Sequence, residues 1–311
     1  MLYGKRLKKG DVIGLVGASG AVRTEGAIER GVAAIEAMGF RTKMGESCGQ
    51  VYGYLSGTDE VRARDVNAMF RDDEVDAIIC LKGGYGTMRM LDLLDYDAIA
   101  ANPKIFLGYS DITAMHVAML EKTGLVTFHG PMPASCYADK PLDEFTMTSM
   151  LRALMDPAPL GEIVNPEGCE RKTVTPGVCE GMLVGGNLSL VTGLLGTPWD
   201  LDVKGRILFL EDIGEPTYKL DHMLTHLRLA GKFDDCAGVV LGDFRNCPIE
   251  YPDFGHPLEK IVEDVIVPSG KPIFSGLMAG HCPVKITLPL GVRCRMDAGA
   301  CTLTALEGAV L

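Results

Sequence analysis

The first part of the chain alternates short apolar runs with stretches of helical periodicity. The runs Val12 to Val16 and Ala77 to Leu81 predict buried strands. Apolar positions recur at helical spacing from Thr24 to Met38, directly before Gly39, and again from Asp59 to Phe70. Continuous apolar strands that alternate with helices are typical of a parallel sheet covered on both faces. The sequence therefore predicts an α/β protein whose functional groups gather at the carboxyl ends of its strands.

A strand followed at once by a helix is predicted around Ser110. The run Ile105 to Leu107 is apolar, and apolar positions from Ile112 to Met119 recur at roughly helical spacing. A side chain on the turn between them lies above unpaired helix amides, which attract negative charge and suit a nucleophile. The turn resembles a nucleophile elbow, but Ile112 stands where a second glycine is usual. A helix cap by Ser110 or Asp111 is the alternative interpretation.

Two glycine turns follow predicted strands. GASG at Gly17 to Gly20 lacks the lysine of a phosphate-binding loop and the spacing of a dinucleotide fingerprint, so a tight turn is the favoured interpretation. GGYG at Gly83 to Gly86 follows an apolar run, and its glycines let backbone amides approach a ligand closely. This second loop either supplies an oxyanion donor beside Ser110 or is an ordinary turn.

The second half of the chain is less regular. Prolines interrupt the pattern between Pro131 and Gly177, as is typical of a linker, with one helical interval from Leu142 to Met155. We therefore predict an N-terminal domain (residues 1–135), a linker (136–176) and a smaller C-terminal mixed α/β domain (177–311). Elements predicted in the last domain are strands at Arg206 to Leu210, near Ile273, at Lys285 to Leu288 and at Cys301 to Ala305, and a helix near Leu258 to Val265.

The composition is that of a folded protein, and nucleic acid is not an expected partner. The 311 residues are 47% hydrophobic, and a formal net charge of −11 without a basic stripe argues against binding to a phosphate backbone. The run Val12 to Val16 is too short for a signal peptide, and no stretch approaches the roughly 18 apolar residues of a membrane span. The ten cysteines lack the spacing of a zinc site and are expected to be reduced thiols in the cytoplasm.

A catalytic serine needs a base, and the chain has six histidines that could supply it. His281 lies on a tight loop bracketed by Gly280 and Pro283, which is a rigid place to present an imidazole. His129 follows a predicted strand and could also reach Ser110. The others are interpreted as structural or exposed, namely His116 in the helix after Ser110, His256 in a polar loop, and His222 and His226 on a helix face.

Glu211 is the most informative acid. It directly follows the predicted buried strand Arg206 to Leu210, and a carboxylate buried there needs a donor partner. Its neighbours Asp212 and Glu215 support another interpretation, in which the three residues form a solvated acidic turn. The residues alone leave both interpretations open.

Six segments, in their order and spacing, resemble the LD-carboxypeptidase family of serine peptidases. The resemblance covers nearly the whole chain, and six motifs together are far more specific than any one of them. The segments are KGGYGTMRMLDLLDY, FLGYSDITAMH, FHGPM, LVGGNLSLVTGLLGTPW, ILFLEDIGEPTYKLDHMLTHLRLAG and GHCPVKITLPLG.

The resemblance implies a catalytic triad split between two domains. Carried over by motif, Ser110 in GYSD is the expected nucleophile, His281 in GHCPVK the general base and acid, and Glu211 in FLED the group that orients the imidazole. The amides of Gly84 and Asp111 are the expected oxyanion hole. Catalytic groups from two domains converge in the cleft between them, where substrate binds and water is excluded.

The resemblance also implies a reaction, the removal of terminal D-alanine from a murein tetrapeptide through an acyl-enzyme, with no metal or other cofactor. The expected setting is cytoplasmic recycling of cell-wall peptides by a homodimer that acts on a small peptide and contacts neither nucleic acid nor a membrane. Candidate substrate contacts are Gly83, Tyr85 and Asn187, and candidates for gripping the terminal carboxylate are Lys82, Arg89 and Asn187.

A related branch of the family offers the main alternative. It comprises microcin-immunity peptidases, which cut an aminoacyl- or peptidyl-nucleotide analogue and stack its base on aromatic side chains of an inserted loop. Here the only tryptophan is Trp199, in a motif that the whole family shares, and the linker offers Tyr137 and Phe145 as its aromatics. This favours the murein peptide as substrate.

Two further classes of protein compete with a serine peptidase. A non-catalytic binding module on this fold is opposed by the presence of all three triad residues. A metal hydrolase would use His222 and His226, whose four-residue spacing suits paired ligands, but Met223 replaces the glutamate of the zinc peptidase motif.

Overall fold

The computed structural model describes residues 1–138, 140–251 and 253–311, which form two β-sheets with helices packed against them. The elements of the N-terminal part are β1 (Val12–Val16), α1 (Ala27–Ala37), β2 (Arg41–Met44), α2 (Asp59–Arg71), β3 (Ala77–Cys80), α3 (Tyr96–Ala101), β4 (Ile105–Gly108), α4 (Thr113–Thr123) and β5 (Thr127–His129). Those that follow are α5 (Glu144–Met155), β6 (Gly161–Glu162), β7 (Lys172–Thr175), β8 (Val178–Asn187), α6 (Leu188–Gly193), β9 (Ile207–Ile213), α7 (Thr217–Leu229), α8 (Lys232–Asp235), β10 (Gly238–Arg245), α9 (Leu258–Val265), β11 (Ile273–Ser275), β12 (Leu288–Leu290), β13 (Arg293–Asp297) and β14 (Thr302–Ala305).

The first sheet has the strand order β12-β5-β4-β3-β1-β2. Strands β1 to β5 are parallel, and β1, β3 and β4 are buried throughout, which confirms the strands predicted from continuous apolar runs. Strand β2 was not predicted, because Arg41 and Lys43 interrupt the apolar signal. Charged side chains of this kind protect an exposed sheet edge.

Strand β12 joins the first sheet although it lies far along the chain. It was predicted at Lys285 to Leu288 and is found at Leu288–Leu290, where it runs antiparallel to β5 and pairs Leu288 with His129. The loop from residue 276 to residue 287 therefore leads from a strand of the second sheet into the first sheet.

The second sheet has the order β6-β14-β13-β8-β9-β10-β11-β7. Strands β8 to β11 are parallel and the flanking pairs are antiparallel, which confirms the predicted mixed sheet. Although the C-terminal domain was predicted to be the smaller one, its sheet is the larger of the two, with eight strands against six in the first sheet. Two of the additional strands, β6 and β7, come from the predicted linker, where prolines and exposed charged residues hid them. The predicted boundaries at 135/136 and 176/177 stay a prediction.

The two sheets are joined through α4. Thr113 Oγ1, at the start of α4, accepts a hydrogen bond of 3.0 Å from the amide of Asn187 at the end of β8. Glu121, near the end of α4, accepts a 2.6 Å charge-assisted bond from Arg206 before β9. One apolar cluster also runs from α4 into α6 and includes Met115 and Leu188. Across the described ranges, no helix is long and apolar enough to span a membrane.

The ion pair between Arg206 and Glu121 is expected to stabilise the junction measurably. Both side chains are at least four-fifths buried, so screening by water is limited. A double-mutant cycle with Arg206→Met and Glu121→Gln should give a coupling free energy of about 1 kcal/mol by urea denaturation. The exposed pair of Lys260 and Asp264 on α9 is the control and should show clearly weaker coupling. Equal coupling in the two pairs would contradict a special role for the junction.

Candidate active site

Ser110 lies on a strained turn after β4. Its φ of +65° is in the left-handed region, which residues other than glycine seldom adopt. The Gly108 carbonyl before it accepts hydrogen bonds from His116 Nε2 (2.9 Å) and from the amide of Gly130 (3.0 Å). Gly83 faces the serine so closely that a Cβ there would lie 3.0 Å from Ser110 Oγ. The turn is thus held on both sides and presents a partly exposed hydroxyl.

The alternative interpretation, a helix cap, is wrong. Neither the short 3-10 turn Ser110–Ile112 nor α4 receives a capping hydrogen bond from a side chain. Within the described parts of the chain, the Ser110 hydroxyl makes no hydrogen bond at all. The Asp111 carboxylate points elsewhere, into the protein.

Asp111 ties the Ser110 turn to the two glycine turns. Its buried Oδ2 accepts hydrogen bonds from Ser19 Oγ (2.6 Å) and from the amide of Thr87 (3.0 Å). Burial raises the pKa of Asp111, while the bonds from Ser19 and Thr87 act in the opposite direction. Nearby, the fully buried guanidinium of Arg62 donates to the carbonyls of Ala18 (2.7 Å) and Gly86 (2.9 Å). These contacts fix the loop from Gly83 to Gly86 beside Ser110.

The GASG turn also helps to hold the loop from Gly83 to Gly86 in place. The amide of Gly17 donates to Ser47 Oγ (3.0 Å), and the amide of Gly20 donates to the carbonyl of Gly83 (3.3 Å). A tight turn, as favoured from the sequence, fits these contacts better than a phosphate cradle. By contrast, in the portion of the chain that is described, the amides of Gly84 and Asp111 donate to no protein acceptor. The two expected oxyanion donors are therefore available to a ligand.

Glu211 and His281 form a direct pair. Glu211 Oε2 lies 2.7 Å from His281 Nδ1, and the Glu211 side chain is completely buried. Burial is the largest single influence on the pKa of Glu211 and raises it, but the imidazoles of His129 and His281 outweigh burial and lower the pKa to about 2. The carboxylate is thus ionised and holds the His281 ring by one nitrogen.

The interpretation of Glu211 as part of a solvated acidic turn was wrong. Strand β9 continues through Glu211 and Asp212 as far as Ile213, and both acids are buried. Asp212 faces the other side of the strand and accepts hydrogen bonds from Asn187 Nδ2 (2.9 Å) and Ser189 Oγ (2.8 Å). Because successive side chains of a strand point to opposite faces, Glu211 contacts histidine whereas Asp212 has a structural role.

Gly280 makes the close approach of Glu211 to His281 feasible. Its φ is +115°, and a Cβ on this residue would overlap Glu211 Oε2. The tight loop predicted from Gly280 and Pro283 is therefore needed for a contact as well as for rigidity.

His129 lies on the other side of the same carboxylate. It is buried, and its Nε2 is 3.6 Å from Glu211 Oε1, which is beyond hydrogen-bond distance. His116 is also buried, and burial lowers its pKa to about 3, so it is neutral and structural as expected. His281 differs from both because it is partly exposed, while Glu211 holds its Nδ1 and its Nε2 has no protein partner among the described residues.

Ser110 and His281 are neighbours through Tyr109, although no hydrogen bond joins them. The Tyr109 ring packs on the His281 ring with centroids 4.9 Å apart. The hydroxyl of Ser110 and the free nitrogen of His281 are both unoccupied by protein partners, and such catalytic contacts often tighten only when substrate binds.

The other residues predicted to contact the substrate differ in whether their side chains are free to bind it. Tyr85 is exposed and meets Tyr54 edge-on, with centroids 6.0 Å apart. Arg89 is bound to Asp59 by two nitrogens, and Asn187 is buried with its amide group on Asp212. A group already paired in this way is a poor ligand for a terminal carboxylate.

Lys82 and the paired histidines complete the predicted set. Lys82 Nζ lies 3.5 Å from the carbonyl of Ala21. His222 and His226 are exposed on α7, as the solvated-face interpretation requires. Residues 1–138, 140–251 and 253–311 hold no cluster of three histidine, cysteine or acidic side chains arranged to bind a metal.

A cleft beside His281 was not foreseen from the sequence. It has a volume of about 330 Å³ and is lined by residues that include Tyr109, Cys136, Asp143, His281 and Lys285. Lys285 belongs to the GHCPVK motif, but nothing in that motif shows that its side chain is buried.

Two protein-family models match the chain. The LD-carboxypeptidase N-terminal domain matches residues 13–130, and the LD-carboxypeptidase C-terminal domain matches residues 180–296. Together they cover well over half of the sequence.

Individual relatives and solved structures agree with these models. A Bacillus subtilis protein named "Probable murein peptide carboxypeptidase" is 39% identical over 98% of this chain and 94% of its own. The microcin self-immunity protein MccF of Escherichia coli is 32% identical over 94% of this chain and 92% of its own, and a solved MccF structure, 28% identical, covers 100% of both chains with a TM-score of 0.94. A solved muramoyltetrapeptide carboxypeptidase from Oxalobacter formigenes is 28% identical and gives a TM-score of 0.84 over 94% of this chain and 97% of that one. The predicted two-domain α/β architecture is thereby confirmed.

Replacing Gly280 with alanine is expected to push Glu211 away from His281. The new Cβ would overlap Glu211 Oε2, and the positive φ adds strain, so the unfolding free energy should fall by about 2–3 kcal/mol. The NMR signal of the His281 Nδ1 proton should shift as its hydrogen bond lengthens. Gly10→Ala is the matched control, because Gly10 has φ +90° and a Cβ there meets nothing within 4 Å. An unchanged His281 signal in Gly280→Ala would overturn this account of the loop.

Lowering the pH is expected to remove stability that depends on Glu211. Its pKa is about 2 in the fold against an ordinary 4.5, so the ionised carboxylate stabilises the protein above about pH 4.5, and this contribution is lost as the pH falls to about 2. A pKa lowered from 4.5 to about 2 corresponds to a contribution of about 3 kcal/mol to the unfolding free energy. The loss of unfolding free energy between pH 5 and pH 2 should be smaller by that amount in Glu211→Gln, measured by urea denaturation. Glu259→Gln, which removes an exposed carboxylate on α9, should behave like the wild type; the same behaviour in Glu211→Gln would refute the prediction.

Proposed function

The chain belongs to the LD-carboxypeptidase family and is a serine-type carboxypeptidase, and on this premise we propose that it releases terminal D-alanine from murein tetrapeptides. The bond cut is the one between the L centre of the diamino acid at position three and D-alanine. The observation that carries the proposal is the buried, ionised Glu211 bonded to His281 beside the strained Ser110 turn. The relatives named as murein peptide carboxypeptidases supply the substrate class.

The proposed reaction begins with attack by Ser110 Oγ on the scissile carbonyl carbon. His281 Nε2 takes the hydroxyl proton, while Glu211 holds Nδ1–H and stabilises the imidazolium. The negative charge that develops on the carbonyl oxygen is met by the unpaired amides of Gly84 and Asp111. These donors are fixed in advance by the contacts of Arg62 and of the Asp111 carboxylate, so little reorganisation is needed.

The tetrahedral intermediate then breaks its carbon–nitrogen bond. His281 gives its proton to the departing amine, so D-alanine leaves and the tripeptide stays on Ser110 as an ester. A water molecule that loses a proton to His281 attacks this ester, and the proton returns to Ser110 Oγ as the tripeptide carboxylate departs. In the proposal this reaction occurs in the cytoplasm, as a step of cell-wall recycling, and the assembly is a homodimer.

A second candidate substrate is an aminoacyl- or peptidyl-nucleotide analogue. The similarity to MccF favours it, since solved MccF structures include complexes with aspartyl sulfamoyl adenosine and adenosine monophosphate. Here Tyr137 is buried and cannot stack on a base, but Tyr54 and Tyr85 form an exposed pair next to the Gly83 loop. This pair is the observation that keeps the nucleotide substrate in consideration.

Replacing Ser110 with alanine is expected to abolish the release of D-alanine, with kcat at least about 10⁴-fold lower, because no other group can form the acyl ester. The measurement is mass spectrometry of a murein tetrapeptide incubated with wild type and Ser110→Ala, each with and without a chelator. Ser269→Ala, in the turn after α9, is the matched control and should act like the wild type. Acid-quenched wild type should also show intact-protein mass increased by the tripeptide acyl group.

Three results would contradict the proposed mechanism or substrate. Cleavage by Ser110→Ala at the wild-type rate would exclude the serine mechanism, and inhibition by chelator alone would indicate a metal. If the wild type leaves the tetrapeptide intact but cleaves an aminoacyl sulfamoyl adenosine, the nucleotide analogue replaces murein as the substrate.

A further inference from the structure

Lys285 is a buried cation in the cleft beside His281. The residue is only 6% exposed, and its backbone amide donates a 2.9 Å hydrogen bond to Thr146 Oγ1. The ammonium lies over the Tyr109 ring, 4.3 Å from the centroid, and 3.9 Å from Cys136 Sγ. An aromatic face and a sulfur atom are weak partners for a charge taken out of water.

No carboxylate of the described residues compensates this charge. None lies within 4.0 Å of Lys285 Nζ, although Asp143 lines the same cleft. The Asp143 carboxylate is engaged at the start of α5, where it accepts a 2.9 Å hydrogen bond from the amide of Thr146. A buried ammonium without an anion is costly in a folded protein unless a ligand supplies the anion. Lys285 therefore has the properties of a ligand-binding group.

The position of Lys285 fits one part of the substrate. His281 and Lys285 contact the same Tyr109 ring, with the imidazole centroid 4.9 Å and the ammonium 4.3 Å from the ring centre. In the proposed reaction His281 protonates the leaving amine. In D-alanine the carboxylate is separated from that nitrogen by a single carbon atom, so a cation close to His281 is where the carboxylate of the leaving residue would come to lie.

The cations considered earlier are less suitable. Arg89 is bound to Asp59 through Nε and Nη2, and it is half exposed. Lys82 lies next to the carbonyl of Ala21 on the side of the glycine turns. Neither of them lines the cleft that contains His281; Lys140 and Lys285 do, and of these two Lys140 is exposed whereas Lys285 is buried.

We infer that Lys285 binds the terminal carboxylate of the substrate and so makes the enzyme specific for a free chain end. The inference rests on the proposed function, because it assigns the leaving-group side of that site. It also identifies the cleft as the place where the released D-amino acid sits. A peptide that continues beyond this residue, or ends in an amide, leaves the ammonium buried without an anion and is rejected.

The test compares a tetrapeptide with its C-terminal amide as substrates of wild type, Lys285→Met and Lys104→Met. The peptide carries lysine at position three, so that the second carboxylate of diaminopimelate is absent. Lys285→Met keeps the side-chain length and removes the charge. Lys104→Met is the matched control, because Lys104 is also buried but lies before β4, at the opposite end from Ser110, and binds the carbonyls of Met69 and Asp72. Thermal unfolding checks that each variant is folded.

The wild type is expected to prefer the acid over the amide by about 10- to 100-fold in kcat/KM, the range of a charge-assisted bond. Lys285→Met should lose this preference by slowing on the acid alone, and Lys104→Met should keep it. A wild type without preference, or a Lys285→Met variant that slows equally on both peptides, overturns the inference.

A binding measurement separates this inference from the proposed function. NMR titration of wild type and Lys285→Met with N-acetyl-D-alanine and with its amide needs no turnover. If neither tetrapeptide is cleaved, the proposed function fails, while tighter binding of the acid that disappears in Lys285→Met still supports the carboxylate site. Equal binding of acid and amide by the wild type overturns that site whatever the turnover result.

Discussion

The ionised and fully buried carboxylate of Glu211 is the constraint on which the rest of the site depends. Burial opposes its charge, and the charge persists only because imidazoles face both of its oxygens. One of them, His129, ends β5 in the first sheet, while Glu211 itself lies on β9 in the second sheet. The Glu211 carboxylate needs an imidazole beside it to stay charged, and this requirement constrains how the end of β5 in the first sheet lies against β9 in the second.

The third participant, His281, is held by the chain path. Its loop leaves the second sheet at β11 and enters the first sheet at β12, so both ends of the loop are anchored in different sheets. A displacement of one sheet relative to the other would therefore move His281 away from Glu211. The ion pair of Arg206 with Glu121 and the packing of α4 against α6 resist this displacement. The contacts that join the two sheets therefore also maintain the geometry of the site.

The sequence was most informative where burial is continuous along the chain. Strands β1, β3 and β4 are apolar and buried at every position, so the strands can be recognised without tertiary information. Strands β2, β6 and β7 are short or charged edge strands whose pairing depends on distant residues, and they were missed. The motifs named Ser110, Glu211 and His281 as candidates; the structure brings Glu211 and His281 into contact, and the catalytic roles of the three stay a prediction. The motifs could not show that Glu211 is inside a strand or that Lys285 is buried, because both facts arise from contacts across the fold.

The same limit explains how chain-end specificity could remain invisible in the motifs. A lysine in a sequence is normally a solvated surface group. The packing of Tyr109 and Cys136 around Lys285 turns it into an internal charge that has no carboxylate partner among the described residues. Such a charge would distinguish ligands mainly by what the wrong ligand costs. A ligand with a carboxylate removes the free-energy cost of the buried ammonium, whereas an amide leaves that cost in place and adds an unpaired polar group. Because His281 rests on the same aromatic ring, a ligand that satisfies Lys285 also sets its scissile nitrogen against the imidazole. Binding of the chain end and alignment for proton transfer are then one event, which is how an exopeptidase can exclude internal peptide bonds without a closed pocket.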